Sequence, residues 1–338
     1  MAEMVKVAVD AMGGDNAPGE IVKGAVEAIN AEKKIKVYLY GKEPLIAEEL
    51  KKYSYDPEQV EVIHAEEIIE MAEPPVNAIR KKKDSSLVKA MNAVRDGECD
   101  ALVSAGSTGA VLVGGQIIVG RIKGVDRAPL APLIPTASGV SLLIDCGANV
   151  DAKPHNLVQF AKMGSVYMEN VMGVKNPKVG IVNIGAEEEK GDKLTKEAYQ
   201  LMKQQTSYNF AGNCEARDIP TGEFNVVVAD GFAGNLILKY TEGLASAMMK
   251  LMKEDLMGSF TSKIGAMLAK PGFRKFKKRM DYNEQGGAPL LGVDGAVVKA
   301  HGSSGDKAIC NAIRQARTML EGEVVEKIRE GLKGLSEE

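Results

Sequence analysis

The 338 residues carry 43 Lys plus Arg against 46 Asp plus Glu, a formal net charge of −3, and 45% of them are hydrophobic. Near-balanced charge gives no bulk attraction for nucleic acid, so any anionic partner must be drawn to a local patch. The length suits one large α/β unit or two smaller domains, and no apolar run approaches the ~20 residues of a membrane span. Cys99, Cys146, Cys214 and Cys310 are widely spaced without a C-x-x-C pair. The chain also opens without a charged and then apolar leader, and both features predict a reducing, cytoplasmic setting.

In chain order, Val5–Asp10, Lys36–Tyr40, Val60–His64, Ala101–Ser104, Val140–Asp145, Lys178–Asn183 and Asn225–Ala229 are short Val/Ile/Leu-rich runs. Most are followed by Gly, Asp, Ser or Asn and then a helix-like stretch. Such runs predict strands of a mostly parallel sheet covered on both faces. Ligands of such sheets bind at the carboxyl ends of strands. The candidate site therefore comprises Asp10–Asp15, Ser104–Ala110, Asp145–Asn149, Asn183–Lys190 and Asp230–Asn235. No flexible linker or internal repeat is visible, which predicts one α/β domain over residues 1–338. A protruding helical segment is expected at 241–282, where Leu244, Met248, Leu251 and Met252 fall at helical spacing. Its methionines suit an adaptable contact surface, a dimer seam or core filler equally well.

Ser104, Gly106, Ser107 and Thr108 form a small-residue turn between a strand and a helix, where backbone N–H groups and hydroxyls can approach an anion. His301, Gly302, Ser303 and Ser304 make a second such loop ahead of the helix-like Ala308–Leu320; an ordinary βα turn is the plainer reading of the first loop, and a capped helix start is an equal reading of the second. The dinucleotide and P-loop fingerprints are absent, as are H-E-x-x-H and any Cys/His quartet, so neither a nucleotide nor a metal is expected. From Leu256 to Met280 there is no acidic residue, but Lys263, Lys270, Arg274, Lys275, Lys277, Lys278 and Arg279 interleave with Phe260, Ile264, Met267, Leu268, Phe273 and Phe276. That pattern suits an acidic partner protein or an anionic membrane surface, or else an ordinary solvated face. Arg80–Lys83 is a weaker basic run.

Taken together, these motifs resemble the PlsX-type phosphate acyltransferases. The resemblance rests on Val7-Ala-Val-Asp-Ala-Met-Gly-Gly-Asp-Asn-Ala-Pro18, Glu73-Pro-Pro-Val-Asn-Ala-Ile-Arg-Lys-Lys-Lys-Asp-Ser-Ser86, Ser104-Ala-Gly-Ser-Thr-Gly-Ala110, Asp145-Cys-Gly-Ala-Asn149, Asn183-Ile-Gly-Ala-Glu-Glu-Glu-Lys-Gly191, Ala229-Asp-Gly-Phe-Ala-Gly-Asn235 and His301-Gly-Ser-Ser304. Asn16 stands where many relatives carry histidine. The resemblance implies a Rossmann-like three-layer α/β/α fold akin to phosphotransacetylase and the isocitrate/isopropylmalate dehydrogenases. It further implies a cytoplasmic homodimer that visits the membrane surface and moves a fatty acyl group from acyl carrier protein to inorganic phosphate, for phospholipid synthesis.

Phosphate attack on a thioester builds charge on the carbonyl oxygen and expels a thiolate, so such a site needs anion positioning and oxyanion donors more than a strong acid. Lys190 resembles the family's active-site lysine and is the expected cation, although beside three glutamates it also reads as a solvated charge. Asp230 is placed to orient Lys190, to take a proton from phosphate, or to cap a helix. Asn235 is placed to donate to the oxyanion or to close a turn. The serines and threonine of the two small-residue loops are the expected phosphate contacts, with His301 nearby. Cys146 reads as a small buried residue, favouring direct transfer over an acyl-enzyme.

Overall fold

The computed structural model describes residues 4–280, 284 and 286–333. The chain opens with β1 (Val5–Asp10), α1 (Gly19–Ala31), β2 (Ile35–Gly41), α2 (Glu43–Leu50) and β3 (Val60–His64). Next come α3 (Pro75–Lys81), α4 (Ser86–Arg95), β4 (Ala101–Ser104) and α5 (Thr108–Gly114). The middle of the chain contributes β5 (Leu133–Thr136), β6 (Gly139–Ile144), α6 (Pro154–Asn170), β7 (Lys178–Asn183), α7 (Lys193–Gln204), β8 (Asn209–Glu215) and β9 (Val226–Val228). Two long helices, α8 (Gly231–Leu256) and α9 (Phe260–Met280), precede β10 (Ala288–Leu290), β11 (Ala296–Lys299), α10 (Asp306–Glu321) and α11 (Val324–Leu332).

The strands divide into two sheets where the sequence pattern suggested one. Six strands run in the order β10-β11-β4-β1-β2-β3 and five in the order β5-β6-β9-β7-β8. All pairings are parallel except β10 with β11 and β5 with β6, the antiparallel strands at one edge of each sheet. Alternation along the strands feeds separate cores. Val7 and Val9 of β1 and Val37 of β2 join a central cluster that also holds Leu142, Ile144, Val179 and Val228 of the second sheet. Ala8, Leu102 and Val297 point the other way, into a cluster with α4 and α5. In the second sheet Leu143, Val227 and Cys214 form the third cluster, covered by Ile237 and Leu238 of α8. Each fully buried Val, Leu or Ile of these cores contributes about 1.5–3 kcal/mol. Helices from both halves supply the shared cluster, so one core underlies two sheets.

The helical segment expected at 241–282 is the later part of a longer hairpin, since α8 begins at Gly231; Asp281 and Tyr282 lie outside the described residues. Only Gly231 and Gly234 of α8 are buried. Among the described residues no helix is long and apolar enough to cross a membrane.

Candidate active site

The carboxyl ends of β1, β4 and β11 are neighbours, and each delivers a buried polar side chain. At the end of β1, Asp10 is 2% exposed. Ser86 Oγ donates to its Oδ1 (2.6 Å) and Ser104 Oγ to its Oδ2 (2.7 Å), while Gly106 N donates to Ser104 Oγ (3.0 Å). Burial pushes the Asp10 carboxyl above its ordinary range, and the two serines and Lys299 pull it back. Ser104 thus spends its proton on Asp10 and fixes the loop. A side chain at Gly13 would meet Asp10 Oδ2 at 2.3 Å and Gly106 N at 2.7 Å, so only glycine lets the two loops touch.

Lys299 closes β11 and is 5% exposed. Its Nζ donates to the carbonyl of Ala300. Burial lowers its ammonium to about 8, against the opposing pull of Asp10, and nearby Lys239 adds to the fall. In the following loop His301 Nδ1 lies 2.8 Å from Ser303 Oγ and accepts from Ser303 N (3.2 Å). Burial and then Lys239 hold the imidazole below its usual range. Ser304 Oγ is buried with no hydrogen-bond partner among the described residues. Asn16 Nδ2 donates to the carbonyls of Ser303 and Ser304 (3.2 Å each), stitching the first loop to the last. An amide at position 16 therefore has structural work to do.

From the second sheet, Asp145 follows β6 fully buried and accepts from Leu130 N (2.9 Å), Asn149 N (2.6 Å) and Asn149 Nδ2 (2.9 Å). Asp230 follows β9 and caps α8, accepting from Ala233 N at 2.7 Å. The first turn of α8 lies against the Asp145–Asn149 loop: a Cβ on Gly234 would stand 1.9 Å from Asp145 O, and one on Gly231 2.8 Å from the Asn149 backbone. That close approach brings Asn235 beside Gly147.

Between these edges lies a cavity of about 460 Å³. Thr108, Asn235, Lys239, Lys299 and His301 supply polar groups, and Leu130, Leu133, Ile134, Cys146, Leu238 and Met249 supply an apolar wall. Of the residues singled out from the sequence, Thr108, Asn235, His301 and Lys277 come together here. Ser104, Gly106, Ser107 and Ser304 are buried and Ser303 is exposed, and none of the five lines the cavity; Asp230 caps the helix that carries Asn235. Lys190 is exposed, in a turn closed by Lys190 N to Glu187 O (3.1 Å), with its carbonyl accepting from Asn183 Nδ2 (3.0 Å). It does not line the cavity. Lys263, Lys270, Arg274, Lys275, Lys278 and Arg279 are exposed along α9. In the Arg80–Lys83 run, Lys82 is engaged by Glu73 (2.5 Å). Burial and then Asp145 hold the Cys146 thiol well above its usual range, which opposes a thiolate nucleophile.

The sequence reading missed Lys299. Its signal was a lone cation ending the apolar run Ala296–Val298, directly before the His301 loop.

A family described as fatty acid synthesis protein matches residues 5–327. The "Phosphate acyltransferase" of Clostridium novyi (strain NT) is 54% identical over 325 residues, covering 96% of this chain and 98% of its own length. That of Alkaliphilus oremlandii (strain OhILAs) is 53% identical over 334 residues, covering 99% of each. The chain belongs to the phosphate acyltransferase family. Among solved structures, a phosphotransacetylase from Streptococcus pyogenes superposes with a TM-score of 0.61 at 14% identity, covering 96% of this chain and 95% of that one. The α/β fold that this family adopts here is thus the phosphotransacetylase-like one expected from the sequence.

Proposed function

We propose that this phosphate acyltransferase-family protein moves a fatty acyl group from the thiol of acyl carrier protein to inorganic phosphate, forming an acyl phosphate for phosphatidic acid and phospholipid synthesis. The observation that carries this reading is one cavity with cationic and hydroxyl groups at the sheet edges and an apolar wall continuing from them. An acyl phosphate has that same division of an anionic head and an apolar tail. Phosphate is held at Lys299, Thr108 and His301. One of its oxygens attacks the thioester carbonyl; a C–O bond forms, the C–S bond breaks, and the carrier leaves as a thiolate. Charge developing on the carbonyl oxygen is met by the buried ammonium of Lys299, aided by the Asn235 amide at the helix start. Lys190 and Asp230, which follow the adjacent strands β7 and β9 but do not line the cavity, take secondary roles.

The exposed basic face of α9 suits an acidic carrier protein and transient contact with an anionic membrane from the cytoplasmic side. Phe232, Leu236, Tyr240, Leu244, Met248 and Leu251 form an exposed stripe on the face of α8 turned away from the cavity, which supports a homodimer seam. Release of free carrier thiol from acylated acyl carrier protein tests the function: it should require phosphate and no nucleotide. Equal release in phosphate-free buffer would overturn it.

A further inference from the structure

The side chains of α8 that line the cavity are Asn235, Leu238, Glu242, Ala245 and Met249, joined by Lys239, Thr241 and Ser246. The first five recur at intervals of three or four residues, so they share one helix face. Asn235 lies at the sheet edge beside Gly147, and Met249 is the last residue of α8 to reach the cavity. Fourteen helical steps separate the two, about 21 Å at 1.5 Å per residue. An extended alkyl chain of 1.5 Å single bonds advances about 1.25 Å per carbon, so that length matches about 16 carbons. Opposite α8, Leu133, Ile134 and Pro135 form the other wall.

We propose that α8 is the gauge of acyl-chain length, with Ala245 and Met249 as the specificity-determining residues that set where a bound chain must end. This rests on the acyl-transfer reading above. Ala245 stands about 15 Å from Asn235, where a chain of roughly 12 carbons ends, and its single methyl leaves room for the remainder of a longer one. Met249, flexible and polarizable, adapts to the tail beyond it.

The experiment compares kcat/KM for eight-carbon and sixteen-carbon acyl donors on the same carrier. Ala245→Phe should lower the sixteen-carbon value at least tenfold and leave the eight-carbon value within twofold, and Met249→Phe should act in the same direction more weakly. Both positions are only partly buried on a helix with few buried residues, and the eight-carbon activity reports an intact active site in each variant. An unchanged ratio in both variants overturns the gauge, as does an equal loss with both donors. Wild-type protein that transfers neither chain to phosphate would instead sink the acyl-transfer reading on which the gauge depends.

Discussion

The sheet edge and the α8–α9 hairpin face one cavity with opposite uses of charge. At the edge, Asp10, Asp145 and Lys299 are buried and hydrogen-bonded, each tied to loops that only small residues allow to meet. On α9 the cations stand in water, with Arg279 reaching the Ala137 carbonyl at 3.0 Å. Fixed buried groups act strongly on a reacting atom because nothing reorganises around them, whereas solvated ones act through encounter and are screened by salt. The contrast predicts where a substitution changes turnover and where it changes binding.

The largest effect should come from Lys299→Met, which removes the buried cation from the cavity. It should lower kcat by about 10²–10³, or 3–4 kcal/mol, with the circular dichroism spectrum unchanged. Near-wild-type turnover would return the cationic role to Lys190. Because burial depresses this ammonium to about 8, the protonated and active form persists below that pH and is lost above it. Rate should therefore fall as pH rises through about 8, and Lys299→Arg should move that alkaline limb upward.

Smaller changes are expected outside the cavity lining. Lys190→Met and Asp230→Asn should each cost about tenfold in kcat/KM, near 1.4 kcal/mol. Asparagine is also a good helix cap, so Asp230→Asn should keep its melting temperature, while Asp230→Ala should lose about 1 kcal/mol of stability as well. Unchanged kinetics in Asp230→Asn would leave that residue the cap of α8 and nothing more.

The smallest effect on turnover should follow from Lys270→Glu, Lys275→Glu and Lys278→Glu together, with Lys277 left in place because it lines the cavity. The KM for acyl carrier protein should rise several-fold at low salt and converge with wild type at high salt, kcat being unmoved. A salt-independent KM in both proteins would make this face of α9 a solvated one.

Strands with apolar alternation were legible from the sequence: β1, β3, β4 and β7 have the bounds that their Val/Ile/Leu runs suggested. β8 was not, because Asn209–Glu215 is an edge strand of low β propensity, carrying Gly212 at φ +103° and a register shift against β7. The division into two sheets was equally hidden, since strand order is fixed by pairings between distant segments. Of the site, the loops were legible and the side-chain directions were not. Lys190 follows a strand end, as the pattern says, yet its side chain faces solvent. Lys299 was absent from the expected residues because its burial comes with the pairing of β11 to β4 and β10, which no local window contains.

The stitching of Asn16 to the Ser303 carbonyl joins residues 287 positions apart, and β11 must insert between β4 and β10 for Lys299 to arrive. A nascent chain emerging from the ribosome can thus assemble the second sheet and the hairpin while its first sheet still lacks an inner strand. The lysine that completes the cavity follows every other strand of both sheets along the chain. Long-range closure of this kind is slow relative to local pairing. An incomplete polypeptide would carry Leu130, Leu133, Ile134, Cys146 and Leu238 of the apolar wall but not the buried ammonium of Lys299.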